Sequence, residues 1–205
     1  MNDLILHEYA PSGNCYKIRL TAALLGVTLE RRGYDILKGE TRTPSYLAHV
    51  NANGRIPVLQ IGGRFLPESN AACTWLAHGS KLIPLDRFDH ADMLRWMFWE
   101  QYNHEPNVAT LRFWRRYLGE ARLTAAQQAL VPAKEAAARE ALALMDRHLG
   151  QTDWFAAGRF TLADIALYAY THVAEEGALP LAPYPNVRAW LGRVAALPGH
   201  VALQD

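Results

Sequence analysis

Asn53-Gly54-Arg55-Ile56-Pro57-Val58-Leu59-Gln60-Ile61-Gly62-Gly63-Arg64-Phe65-Leu66-Pro67-Glu68-Ser69-Asn70-Ala71 decides how the first half of this chain folds. Two short apolar runs, Pro57–Ile61 and Arg64–Leu66, flank Gly62-Gly63, which is the signal of a tight β-hairpin. Pro57 opens the first of them, where a missing N–H is tolerated. Ser69 is a natural N-cap, and the helix it opens runs through Ala72, Leu76 and Ala77.

Upstream, Leu4-Ile5-Leu6-His7 reads as a buried strand. Cys15 to Leu25 follows with apolar residues at Ile18, Ala22 and Leu25, a helical spacing that Gly26 stops. Thr28 to Tyr34 is a second strand, and the βαβ unit makes strands one and two parallel. A second helix starts at Pro44 and includes Leu47 and Ala48. The order βαβ, α, ββα over residues 1–80 is that of a thioredoxin-like α/β domain.

Downstream the texture changes. Residues 81–88 read as a linker containing Pro84, and residues 89–205 as an all-α domain. Asp89 to Leu118 is one long helical stretch crowded with aromatic residues. Thr124 to Leu149 is rich in good helix formers, opens on the capping box Thr124-Ala-Ala-Gln127, and ends at Gly150 as C-cap. Pro132 should kink or restart it. Further helices lie near 161–175 and 186–195. Thr161-Leu-Ala-Asp164 is a capping box with Asp for Glu, a folding element without a catalytic role.

Composition narrows the functional classes. The chain has 205 residues, half of them apolar, and a formal net charge of +1. That charge removes a strong electrostatic case for nucleic acid or an anionic membrane surface, and no apolar run reaches membrane-spanning length. The N-terminus does not read as a signal peptide. Two cysteines, Cys15 and Cys73, build no disulfide framework and suit a reducing, cytoplasmic setting. His104-Glu105 continues into Pro106-Asn107 rather than a zinc pattern, and no G-x-G-x-x-G or Walker pattern occurs, so neither a metal nor a nucleotide is expected.

Three constellations carry chemistry. Pro11-Ser12-Gly13-Asn14-Cys15-Tyr16-Lys17 lies in the turn from strand one into helix one, where free backbone N–H groups and the helix dipole favour negative charge. Thioredoxin-like domains often hold Cys-x-x-Cys here. This chain has Ser12-x-x-Cys15, with a hydroxyl at the exposed position. A hydroxyl can donate to a bound thiolate. Such a bond is worth roughly 1.5–3 kcal/mol, about one or two units of pKa for a thiol that starts near ~8.5. Ser12 also serves as a plain helix cap, since both uses share one location. Cys15 is a rival nucleophile or a small buried hydrophobe, and the Tyr9 phenol is a third candidate. In the second constellation, Arg55-Ile56-Pro57, a cis peptide would present Ile56 N–H and C=O to a peptide-like ligand, whereas the trans form is the commoner one. In the third, the helix start at Ser69 suits a carboxylate and Glu68 suits an ammonium. Taken alone, that pair is a helix cap beside a solvated glutamate.

Together these motifs resemble the glutathione S-transferase superfamily: Ser12-Gly-Asn-x-x-Lys17, Asn53-Gly-Arg-Ile-Pro-Val58 and Glu68-Ser-Asn-Ala71. Phe98-Trp-Glu-Gln-Tyr-Asn-His-Glu-Pro106, Arg112-Phe-Trp114, Ala157-Gly-Arg-Phe-Thr-Leu-Ala-Asp164 and Tyr184-Pro-Asn-Val-Arg-Ala-Trp190 look like its bacterial theta- or nu-like branch. The resemblance covers nearly the whole chain. It implies a cytoplasmic, homodimeric glutathione transferase that takes glutathione as co-substrate and conjugates it to a small apolar or electrophilic substrate. Ser12 matches the catalytic serine, with Asn14 assisting. Arg55 and Ile56 match contacts to the glycyl and cysteinyl parts, Pro57 the cis-proline, and Glu68 and Ser69 the γ-glutamyl anchors. Lys38 lies in a loop that supplies a basic contact to the glycyl carboxylate. The family often has proline where this chain has Ala52, which should soften that turn.

The second substrate is expected among Trp99, Tyr102, Arg112, Phe113 and Trp114, with Arg112 and Tyr102 turned to the ligand and several of the aromatics packing. Two other functions stay open. A glutathione-dependent thiol–disulfide oxidoreductase would use Cys15, aligned with the cysteine of beta-class relatives, or a second glutathione, and a non-catalytic module for protein assembly is the third reading.

Overall fold

The structure, a computed structural model, describes residues 4–205. The chain divides into two units. The first runs to Lys81 and also takes in Pro198–Asp205; the second is Leu82–Leu197. The expected boundaries differ at both places. Leu82 and Pro84 are buried, and Leu82 accepts a hydrogen bond from Leu162 N–H, so most of the expected linker packs with the helical unit. The last eight residues return to the first unit through side chains of its first helix, Tyr16 and Arg19.

The first unit holds β1 (Leu4–Glu8), β2 (Glu30–Gly33), β3 (Val58–Ile61) and β4 (Arg64–Pro67) in the order β2-β1-β3-β4. β1 is parallel to β2 and antiparallel to β3, with Leu6 opposite Leu59; β3 and β4 form the hairpin, with Ile61 opposite Arg64. Gly62 at φ 57° supplies the left-handed residue that a two-residue turn demands. The helices are α1 (Gly13–Leu24), α2 (Pro44–His49) and α3 (Ser69–Leu76). α1 is buried continuously from Cys15 to Ala22, Lys17 and Arg19 included. It ends as expected at Gly26: Val27 N–H reaches Ala22 O at 2.8 Å and Gly26 N–H reaches Ala23 O at 3.0 Å, the paired bonds of a Schellman cap.

The second unit contains α4 (Arg87–Trp99), α5 (Glu105–Arg112), α6 (Ala125–Leu149), α7 (Leu162–Thr171) and α8 (Pro185–Ala195). The single stretch expected from Asp89 to Leu118 is instead widened to π-type turns at Glu100–His104 and Phe113–Leu118. Pro106 accounts for the first widening, because it has no N–H to give Tyr102 O one turn back. Thr124 and Gln127 form the expected capping box, and α6 runs through Pro132 without restarting. Gly150 is the C-cap, in right-handed conformation. The Asp164 carboxylate is fully buried and accepts from Thr161 N–H (2.9 Å), Thr161 Oγ1 (3.3 Å), Phe155 N–H (3.2 Å) and Trp190 Nε1 (3.0 Å). Those bonds tie the start of α7 to α8 and to the preceding loop. No described helix is long and apolar enough to cross a membrane.

Candidate active site

Ser12 is the N-cap of α1. Its own N–H donates to Tyr9 O at 2.8 Å, closing the turn out of β1, and its Oγ accepts from Cys15 N–H at 3.4 Å. The hydroxyl is half-buried, and no acidic residue occupies the first turn of α1. The positive end of the helix is therefore not neutralised from within its own first turn, which suits an incoming anion. Tyr9 enters through its carbonyl, as the turn acceptor.

Cys15 must be corrected as a catalytic candidate. It has no exposed surface, and burial pushes its thiol up to about 12. A thiol held protonated inside α1 is neither a nucleophile nor a partner for exchange at neutral pH.

The second constellation is built on Asn51. Its Oδ1 accepts from Asn53 N–H and its Nδ2 donates to Arg55 O, both at 3.0 Å. Gly54, at φ 62°, passes so close to Arg42 that a Cβ would lie 2.5 Å from Nη1. Ala52 therefore lies in a turn pinned at both ends. The Ile56–Pro57 peptide is cis. Arg55 is exposed, Ile56 half-buried and Pro57 buried. Arg55 O takes a second hydrogen bond, from Tyr46 OH at 2.8 Å. Tyr46 is held edge-on by Tyr34, whose hydroxyl pairs with the buried His7 at 2.8 Å, and His7 reaches Gln60 Oε1 at 2.9 Å. Burial draws the His7 pKa down, which favours the neutral ring. Neither Tyr46 nor Asn51 is among the site residues that the sequence motifs mark. An aromatic on a six-residue helix and an Asn two residues ahead of Asn-Gly were the available signals.

At the third constellation the cap lies one residue earlier than expected. Glu68 is the N-cap of α3, with φ 73° and ψ 111°, and Ser69 is the first helical residue. No side chain caps the helix, so its first amides are not occupied by a protein oxygen from the cap position. Ser69 Oγ donates to Asn14 Oδ1 at 3.4 Å, bringing the first and third constellations into contact. Lys38 is in a short 3₁₀ turn with its Nζ 3.3 Å from Asp35. The ammonium is exposed, and such a surface pair holds it only weakly.

The second-substrate candidates lie in the helical unit. Arg112 is buried and donates to Glu176 Oε2 and Tyr117 OH, both at 2.7 Å. Trp114 is buried beneath the Lys134 ammonium, which stands 5.9 Å from its ring. Both pack inside the helical unit, which departs from the outward turn expected of Arg112, because aromatic and cationic residues at helical spacing pack inward as readily as they line a surface. Trp99 meets Trp96 edge-on at 5.3 Å, and Tyr102 is 84% exposed.

A thioredoxin-like unit whose first helix is headed by a hydroxyl at the position a redox thiol often takes, followed in sequence by an all-helical unit, is the architecture expected of the glutathione transferases. Comparison with known proteins agrees. Residues 11–78 match the family model of the glutathione S-transferase N-terminal domain, and residues 93–198 that of the C-terminal domain. The chain is 31% identical to glutathione S-transferase D7 of Anopheles gambiae over 96% of its own length and 88% of the relative's. A possible glutathione S-transferase from Rhodopseudomonas palustris superposes with TM-score 0.93 at 42% identity, covering 98% of this chain and 90% of the other. One from Pseudomonas fluorescens gives 0.92 at 40%, covering 98% and 99%. The chain belongs to the glutathione S-transferase family, and it is an enzyme of the glutathione transferase class.

Proposed function

We propose that the chain binds reduced glutathione along the loop edge of its first unit, ionises the thiol beside Ser12, and adds the thiolate to an electrophilic carbon of a small apolar co-substrate. The contact between Asn14 and Ser69 carries this reading, because it joins two helix N-termini into one anion-favouring edge. Ser12 Oγ donates to the sulfur, the γ-glutamyl carboxylate meets the start of α3 at Ser69, and Glu68 meets the ammonium. The ligand backbone runs along Ile56, with Arg55 and Lys38 at the glycyl carboxylate. A thiolate held in place supplies most of the rate by proximity and charge stabilisation.

The form of the thiol–disulfide alternative that uses Cys15 is disfavoured by that residue's burial, while the form that uses a second glutathione shares the proposed site. We place the chain in the bacterial theta- or nu-like branch on its motifs, and in the cytoplasm, where two buried cysteines outside any disulfide are at home. A homodimer is the assembly proposed, and the exposed Phe88 and Phe98 of α4 are surfaces a second copy would cover.

Calorimetry with reduced glutathione, coupled to an ultraviolet titration of the bound thiol, tests the reading. Ser12→Ala should raise the bound thiol pKa by about one to two units, while Cys15→Ala should keep the activity. Absence of binding at millimolar glutathione, or loss of activity in Cys15→Ala alone, rejects it.

A further inference from the structure

Arg19 lies on α1, seven residues beyond Ser12. Its side chain runs back toward the helix N-terminus, the direction in which helical side chains lean. It is 6% exposed. Its Nη2 donates to Ala10 O at 2.8 Å, inside the turn that sets Ser12, and its Nε stands 3.3 Å from Oε2 of the buried Glu8, the last residue of β1. One guanidinium thus touches both the strand end that enters the catalytic turn and the turn itself.

Nη2 also donates to Leu203 O at 3.0 Å. The segment around Leu203 forms a strap on the first unit. Val201 O accepts from Tyr16 OH at 2.7 Å, and Asp205 O accepts from Arg31, which also pairs with Glu8. Three alternate carbonyls of the strap therefore meet Tyr16, Arg19 and Arg31. The Leu203 side chain is buried, and Asp205 Oδ2 accepts from Ala202 N–H at 2.7 Å, closing the strap on itself.

We propose that the strap Val201–Asp205 is a positioning element of the catalytic turn, acting on Ser12 through Arg19. The two hydrogens of Nη2 are divided between the turn and the strap. Without Leu203 O, one buried guanidinium hydrogen has no acceptor, which is costly. The side chain regains hydration by moving outward, and in doing so it leaves Ala10 O and loosens the turn that orients Ser12 Oγ. The inference rests on the reading of Ser12 as the thiolate-stabilising hydroxyl.

The test compares the full chain with one ending at His200 and with Tyr16→Phe, which removes the hydroxyl that reaches Val201 O and His200 Nε2. Each is melted to establish folding, and bound glutathione is then titrated by its thiolate absorbance, with kcat and KM followed against pH. The shortened chain should titrate bound thiol about half to one unit higher, a roughly threefold to tenfold drop in thiolate at fixed pH below that pKa. Tyr16→Phe should move the same way by less. A purely structural strap would lower the melting temperature and leave the pH profile in place. A folded shortened chain with the wild-type profile overturns the proposal. If the shortened chain fails to fold, an unshifted Tyr16→Phe profile overturns it. If the full chain itself fails to ionise glutathione, the proposed function falls, and this inference falls with it.

Discussion

Replacing Glu68 by glycine should make the protein more stable and a poorer binder at once. Glu68 sits at φ 73°, ψ 111°, a conformation glycine adopts freely and a glutamate does not. Holding a side chain there costs on the order of 1–3 kcal/mol. The residue is exposed and makes no side-chain capping bond to α3, so little packing is lost with it. Against the relief stands about 0.5–1 kcal/mol for the greater freedom of glycine in the unfolded chain. The net expectation is about 1 kcal/mol of stabilisation, a rise of about 2–4 °C in melting temperature for a chain of this size. The same change deletes the carboxylate assigned to the ammonium of glutathione. A charge-assisted bond of roughly 1.5–3 kcal/mol is lost, about tenfold to a hundredfold in Kd. Glu68→Gln separates the two effects, keeping the strain while removing the charge. Differential scanning calorimetry and isothermal titration with glutathione read both. A glycine variant that melts below the wild type refutes the strain argument, and one that binds glutathione as tightly as the wild type refutes the pairing.

Tyr46→Phe removes one of two donors to Arg55 O; losing about 1 kcal/mol there should raise KM for glutathione roughly fivefold with kcat little changed, and an unchanged KM would contradict the role. Arg112→Met should cost about 1–3 kcal/mol of stability, because Glu176 stays partly solvated while Tyr117 loses its donor; KM for the electrophile should hold steady in the folded enzyme, and a large rise would return Arg112 to the substrate site. Burial pushes Asp164 from 3.8 to about 6. The folded state binds that proton more tightly than the unfolded chain, so the contribution of this group is fully present below about pH 4 and lost as pH rises through about 6. The gap in melting temperature between wild type and Asp164→Asn should accordingly be wider near pH 4 than near pH 7, and the opposite trend would show that the four donors outweigh burial.

What could be read from the residues was local. Gly62-Gly63 between two apolar runs, Gly26 after a helical repeat, and the Thr124 and Thr161 boxes each concern groups a few positions apart, and each formed. The family motifs did the same for the first unit, where turns and caps are encoded by short strings. Pairings between distant residues were not legible. Arg112 looked like a ligand contact because Glu176, 64 positions away, carries no local mark. Arg19 and Lys17 interrupt the apolar pattern of α1, and only the fold reveals that Arg19 meets Glu8, Ala10 and Leu203. The cap of α3 fell on Glu68 rather than Ser69 because a left-handed glutamate runs against every residue preference and so could not be anticipated from them.

In chain order the helical unit, Leu82–Leu197, is an insertion: the first unit begins before it and is completed after it. A gene fragment cut after Lys81 would encode an unfinished fold, with Tyr16, Arg19 and Arg31 each missing an acceptor. A minimal version of that unit needs residues 198–205 spliced on behind Lys81. By the same topology, proteolytic nicking near Leu197 would break the covalent link between the helical unit and the segment that carries Val201, Leu203 and Asp205.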